Sequence, residues 1–223
     1  MDTVRSRLEE IRGRIDGATV RSGRLVGSVK LVAVSKKQPI ERVVEAYEAG
    51  QRVFGENYVQ ELARKREVIP EATWHLIGHL QSNKAKQAVS VAQVVETVDS
   101  AELAGRLDRL AAAAGRRLPV LLEVRLGGEE AKSGVEPSGV EGLVRAVIGM
   151  SNLELLGLMS VPEPTESRRW FAELRRLRER VSLSTGAPLP ELSMGMSGDF
   201  EDAILEGATI VRIGTALFGS RSG

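Results

Sequence analysis

Two consecutive lysines close the first apolar run of the chain, Lys30–Lys36 with Lys37 after it. A strand sends successive side chains to opposite faces, so at most one of the pair points inward. Lys36 continues the alternating set Val32 and Val34. At such an apolar face burial disfavours the ammonium, and the neutral amine becomes a nucleophile for an aldehyde. The alternative is a solvated strand end whose stem snorkels along apolar surface. Near the far end, the segment Ser193 to Asp199 (SMGMSGD) leads into a helix pattern. Val211-Arg212-Ile213-Gly214-Thr215 follows, with Gly219 beyond it. Glycines at two adjacent strand ends let backbone N–H groups approach an anion closely. Ser197, just before a helix, adds a hydroxyl, and the helix adds its positive end. The same glycines would serve equally well as tight turns between strand and helix. Arg212 lies two residues before Gly214, on the same strand face. Its guanidinium keeps its proton and accepts nothing, so inside a fold it needs an acceptor. That acceptor is either an aromatic ring nitrogen or a carboxylate such as Glu123 or Glu56.

These residues need a scaffold, and the rest of the chain has a rhythm that supplies one. After the first run, apolar runs recur at Val53–Gly55, Trp74–Gly78, Val94–Ser100, Pro119–Leu126, Leu153–Met159, Glu191–Met196 and Ala208–Gly214. Helix-patterned stretches separate them: Pro39 to Gly50, Asn57 to Ile69, Ser82 to Val91, Ser100 to Ala114, Pro137 to Ile148, Arg168 to Val181 and Gly198 to Glu206. Ahead of the first strand, Val4, Leu8, Ile11 and Ile15 fall at helical spacing among charges, an amphipathic helix over about residues 2–16. Eight strands alternating with helices predict an α/β fold, a single (β/α)8 TIM barrel over residues 1–223, with an open doubly wound sheet as the alternative. In the barrel, catalytic and binding groups sit at the C-terminal ends of the strands. Phosphate sites favour the loops after strands 7 and 8, where Ser197, Gly214 and Thr215 fall.

Composition narrows the chemistry. The 223 residues carry 31 Lys+Arg against 30 Asp+Glu, a formal charge of +1, which argues against a nucleic-acid binder that relies on a basic field. With no cysteine there is no disulfide, thiolate nucleophile or Cys-bound metal, and two histidines leave little for a His-rich site. No apolar run is long enough to span a bilayer, and the start MDTVRSRLEEIRGRI has no secretory pattern, so a cytoplasmic protein without membrane partners is expected.

A lysine at one strand end, a phosphate cradle after strands 7 and 8, and an arginine between them together suggest pyridoxal 5′-phosphate (PLP). Here the chain resembles the pyridoxal phosphate homeostasis protein family, whose barrel is similar to the N-terminal domain of alanine racemases. The resemblance is carried by Ala33–Lys36, Phe54–Glu61, Trp74–Lys84, Gly128–Gly134, Gly157–Pro162, Ser193–Ile204 and Val211–Gly219. It implies that Lys36 forms the Schiff base, that Ser197, Gly214 and Thr215 hold the phosphate, and that Arg212 faces the ring nitrogen. Asn57 is implied as a further pocket contact. His79 and Gln81 would lie at the mouth, and His75 within its strand reads as a satisfied core residue. Arg125 stands where the family usually has Asn, which changes the polarity of that wall.

The resemblance leaves two main functions open. The first is a carrier that holds PLP and passes it to PLP-dependent apo-enzymes. The second is an amino-acid racemase of low efficiency, since racemases draw a tyrosine from a separate β domain across a dimer. Such a domain is missing here, which favours a monomer, and the two tyrosines, Tyr47 and Tyr58, both fall in helix-patterned segments. A third reading is a phosphate-binding barrel enzyme that does not use PLP.

Overall fold

Eight short runs, each followed by a helical stretch, leave no exposed sheet edge once the first strand pairs with the last. A computed structural model, describing residues 3–127, 133–163 and 165–219, has this arrangement: eight parallel strands close in sequence order. They are β1 (Lys30–Val34), β2 (Val53–Glu56), β3 (Thr73–Leu76), β4 (Val94–Val98), β5 (Leu118–Glu123), β6 (Leu153–Met159), β7 (Glu191–Ser193) and β8 (Ile210–Ile213). Closure is made by β1 against β8, with Val32 opposite Arg212 and Ala33 opposite Ile213. The (β/α)8 barrel expected from the alternation is present, and the open sheet is excluded. Most of the GEEAKSG segment, Gly128–Lys132, lies outside the described residues.

The helices are α1 (Val4–Arg21), α2 (Ile40–Glu48), α3 (Val59–Val68), α4 (Ala85–Val91), α5 (Ala101–Ala113), α6 (Val140–Ile148), α7 (Ser167–Thr185), α8 (Phe200–Leu205) and α9 (Thr215–Phe218). Three depart from expectation, among them α7, which runs four residues past its expected end at Val181. α1 continues about a turn and a half past its expected end near residue 16. Gly17 does not stop it, because Ala18 and Thr19 are buried on the docking face and the Thr19 hydroxyl donates to the Ile15 carbonyl at 2.7 Å. The stop is Gly23, whose φ of +75° lets the Gly23 and Arg24 N–H groups fold back onto Val20 and Thr19. A further departure is α9, a single turn after β8 where the sequence pattern predicted no helix.

Alternation along the strands divides the core in two. Val32, Val94, Leu121, Met159 and Ile210 fill the barrel interior. Phe54 and Trp74, their ring centroids 5.2 Å apart, belong to the larger layer between strands and helices. Several strands end earlier than their apolar runs: β1 stops at Val34 and β7 at Ser193, and the residues beyond form the mouth. Among the described residues no helix is long and apolar enough to cross a membrane.

Gly157 shows how tightly the sheet is closed. The register between β5 and β6 is irregular just before it, and a Cβ at Gly157 would sit 1.9 Å from the Glu191 carbonyl oxygen of β7. Gly157→Ala is therefore expected to cost about 3 kcal/mol, the upper part of the overpacking range. Chemical denaturation measures it, and an unchanged midpoint would show that β6 and β7 separate without penalty.

Candidate functional site

At the C-terminal mouth, a cavity of about 370 Å³ is lined by Lys36, Asn57, Ser197, Arg212, Gly214 and Thr215 together with Val34, Ile77, Val161 and Met196. All six residues singled out in the sequence face the same space. Lys36 arrives there because it is two residues beyond Val34 on the inward face. Its neighbours Ser35, fully buried, and Lys37, exposed, turn the other way. The inward choice between the two lysines is therefore settled in favour of Lys36.

Ser197 does not stand immediately before a helix as expected. α8 begins at Phe200, and Asp199 Oδ1 accepts the Met196 N–H at 2.7 Å. The Ser197 hydroxyl instead reaches across to the turn after β8, where its oxygen accepts the Ala216 N–H at 3.2 Å. Its own proton stays available for a ligand. Thr215 opens α9, so its N–H has no intrahelical acceptor. Gly214 lies against β1: a Cβ there would come 3.1 Å from the Val34 carbonyl. A hydroxyl and a helix-opening N–H thus share one wall, a donor set suited to a phosphate.

Arg212 is buried, and its partners differ from those expected. Nη1 donates to Ser193 Oγ at 2.6 Å and Nη2 to the Ser160 carbonyl at 2.8 Å. Its nearest carboxylate is Glu96 on β4, with Nη1 to Oε2 at 4.0 Å. Neither Glu56 nor Glu123 forms that ion pair. Glu56 points outward from β2 to Lys65, with Nζ to Oε1 at 2.7 Å, and Glu123 acts on Arg212 only at longer range. Glu96 is fully enclosed. Its Oε1 meets His75 Nδ1 at 2.5 Å and its Oε2 accepts the Ser193 hydroxyl at 2.5 Å. Burial alone would raise this carboxyl. The hydrogen bond and charge of His75, the Arg212 charge and the Ser193 hydroxyl more than offset it and hold the group below its usual range. His75 is the satisfied core residue expected. Nη1 and Nη2 each spend one N–H on these bonds, and Nε, which makes no hydrogen bond among the described residues, is a donor left for a ligand.

Glu96 is the residue that sequence reasoning missed. It sits inside an apolar strand, VVETV, two positions from the inward Val94, and that placement was the available signal.

A second cavity of about 350 Å³ adjoins the first, sharing Asn57, Ile77 and Val161. Glu123, His79, Arg125 and Ser133 line it. Glu123, at the end of β5 across the barrel from β1, is 7% exposed. Its Oε1 accepts the Ser133 hydroxyl at 2.9 Å, and its buried Oε2 has no hydrogen-bond partner. Burial pushes this carboxyl up. Ser133 opposes the shift, Asp99 reinforces it, and His79 and Arg212 oppose it more weakly. His79 Nδ1 lies 3.6 Å from Asp99, Arg125 pairs with Glu136, and Gln81 lines neither cavity.

Known proteins share this fold and sequence. Residues 4–222 match the alanine racemase N-terminal domain. A pyridoxal phosphate homeostasis protein of Aquifex aeolicus is 42% identical over 221 residues, 96% of this chain and 97% of that protein. One from Pseudomonas aeruginosa is 44% identical over 224 residues, 99% of this chain and 97% of that protein. Among solved structures, PipY of Synechococcus elongatus with PLP bound superposes with a TM-score of 0.87 at 38% identity, covering 97% of this chain and all of that one. An alanine racemase of Clostridium difficile, at 14% identity and a TM-score of 0.78, shares the fold over 57% of its own length.

The buried pair sets a stability test. Arg212→Met leaves Glu96 with one charge partner fewer and is expected to cost about 3–5 kcal/mol at neutral pH. A depressed carboxyl stabilises the fold above its ordinary value of ~4.3 and loses that contribution as pH falls through the lower folded value. The gap between variant and wild type should therefore narrow on acidification, as Glu96 takes up a proton. A gap independent of pH in parallel denaturation series would show that the arginine does not compensate Glu96.

Proposed function

The chain belongs to the pyridoxal phosphate homeostasis protein family and carries the alanine racemase N-terminal domain; from that premise we propose that it holds PLP covalently on Lys36 and serves intracellular vitamin B6 homeostasis. The observation that supports this most is the convergence of Lys36, Arg212, Ser197, Gly214, Thr215 and Asn57 on one cavity of about 370 Å³. PLP has three recognition needs: an amine for its aldehyde, a partner for the pyridine nitrogen and donors for the phosphate. Lys36, in the turn that follows β1, supplies the first. Arg212 Nε supplies the second, and Ser197 with the Gly214–Thr215 turn the third. When bound, PLP supplies an electron sink for carbanions on attached amines.

The residues around it favour holding over turnover. A guanidinium donates a hydrogen bond but does not transfer its proton, so the ring nitrogen beside it stays unprotonated and the sink is weakened. Neither tyrosine lines the cavity. We assign the protein to the cytoplasm as a monomeric single-domain carrier whose recipients are PLP-dependent apo-enzymes. Lys36→Ala is expected to lose both the visible absorption of the lysine-bound cofactor and borohydride trapping, while the thermal unfolding of the apo-protein stays close to wild type. Cofactor trapped on Lys37, or trapping that persists in the variant, would sink the assignment.

One observation keeps the weak racemase as a second reading. Glu123 stands across the mouth from Lys36 with a raised carboxyl and an unsatisfied Oε2, so it can hold a proton nearer neutrality than an ordinary glutamate. Racemisation needs such a second acid or base on the face opposite the lysine. On this reading Glu123→Gln abolishes α-proton exchange from single-enantiomer amino acids in deuterated solvent, with cofactor absorption retained. It should also melt higher than wild type near pH 8 and equally near pH 4. A raised carboxyl favours the fold below its ordinary value and loses that advantage as pH rises through the folded value. Wild-type protein that exchanges no α-proton would leave the carrier alone.

A further inference from the structure

Lys36 is aimed by contacts that lie outside the cavity it enters. The turn Ser35–Gln38, closed by the Gln38 N–H on the Ser35 carbonyl at 3.0 Å, carries Lys36 and Lys37 at its two central positions. Lys37 has φ +58°, left-handed backbone that glycine or asparagine adopts readily and a lysine does not. Helix α3 holds the turn in that state. Lys65 Nζ donates to the Ser35 carbonyl at 2.6 Å, to Glu56 Oε1 at 2.7 Å and to Glu61 Oε1 at 2.8 Å, which uses all three of its donors. Glu56 Oε1 takes the Ser35 hydroxyl at 2.7 Å, and Glu61 Oε1 takes the Lys37 N–H at 2.7 Å. The carbonyl before Lys36 and the amide after it are thus both gripped from α3.

For stability alone this is a costly arrangement, because apolar side chains of similar volume often stabilise a buried position as well as an ion cluster does. What the cluster specifies, and apolar packing would not, is the orientation of the two peptide groups flanking Lys36. We infer that Glu61 and Lys65 are positioning residues that fix this turn, so that Lys36 and not Lys37 is presented to the cofactor. The inference rests on the reading of Lys36 as the attachment site and adds the device that selects it.

The test uses Glu61→Ala, which releases the Lys37 amide, and Glu61→Ala with Lys37→Gly, in which glycine takes the left-handed conformation unaided. Apparent PLP affinity is read by absorbance titration, and the attachment site by borohydride reduction and peptide mass mapping. Glu61→Ala should bind PLP about tenfold more weakly and divide the trapped cofactor between Lys36 and Lys37. The double variant should regain wild-type affinity, which a general loss of packing would not allow. Lys37→Val leaves every buried charge in place, so folding is not at issue. Its β-branched side chain resists positive φ, and it should weaken PLP binding although residue 37 does not line the cavity. Wild-type affinity with all cofactor on Lys36 in Glu61→Ala, a loss that Lys37→Gly does not recover, or wild-type affinity in Lys37→Val would each overturn the positioning role. Wild-type protein that traps no PLP on Lys36 would overturn the attachment reading itself, and this inference with it.

Discussion

A guanidinium enclosed in the middle of a closed barrel has to find its counter-charge among side chains that the same barrel turns inward. Arg212 on β8 finds Glu96 on β4, with Ser193 of β7 between them and His75 of β3 on the far oxygen. Four strands from opposite sides of the barrel are tied through one carboxylate. A cluster so enclosed gains little from solvent and costs several kcal/mol if any partner is lost, so its geometry is fixed by mutual need. The cavity above inherits that rigidity. The arginine that faces it has its two terminal nitrogens committed and cannot swing to meet a ligand.

A second buried ion cluster, Glu56–Lys65–Glu61, lies on the outer face of β2, away from the interior. The two divide the work by strand face. Inward-facing residues build the chemistry of the mouth, and outward-facing ones lock the backbone that delivers it. Ser35 and Lys36 show the division at its smallest scale, adjacent residues serving opposite layers. Glu123 belongs to neither cluster. Its carboxyl is buried with one oxygen unsatisfied, an arrangement that stability does not explain.

The barrel was legible because eight short apolar runs, each separated from the next by a helical stretch, have few closed solutions. The site was legible in the same way: Lys36, Gly214 and Ser197 stand at strand ends, and strand ends in this fold meet. The partner of Arg212 was not. Choosing among Glu56, Glu96 and Glu123 requires knowing which face each presents, and a one-residue difference in phase reverses the answer. Glu56 shares its face with Phe54 and points outward, whereas Glu96 shares the inward face of Val94. The end of α1 escaped for a different reason. Gly17 looks like a stop, but burial of Ala18 and the Thr19 back-bond outweigh a glycine's helix cost of about 1 kcal/mol. Strand ends were overestimated wherever the apolar run continued past the last paired residue into the mouth.

The closing seam between β1 and β8 bears on how the protein is made. Lys36 follows the first strand and is synthesised before the other seven, whereas Arg212, Gly214 and Thr215 come only with the eighth. They come together only when Val32 pairs with Arg212 and Ala33 with Ile213. No nascent or truncated chain lacking β8 can assemble the cavity. Such long-range pairing is slow to form, and a ligand that binds only the closed state draws the equilibrium towards it. Occupancy of the mouth is thereby a certificate of a closed barrel, issued only when the first strand and the eighth have met.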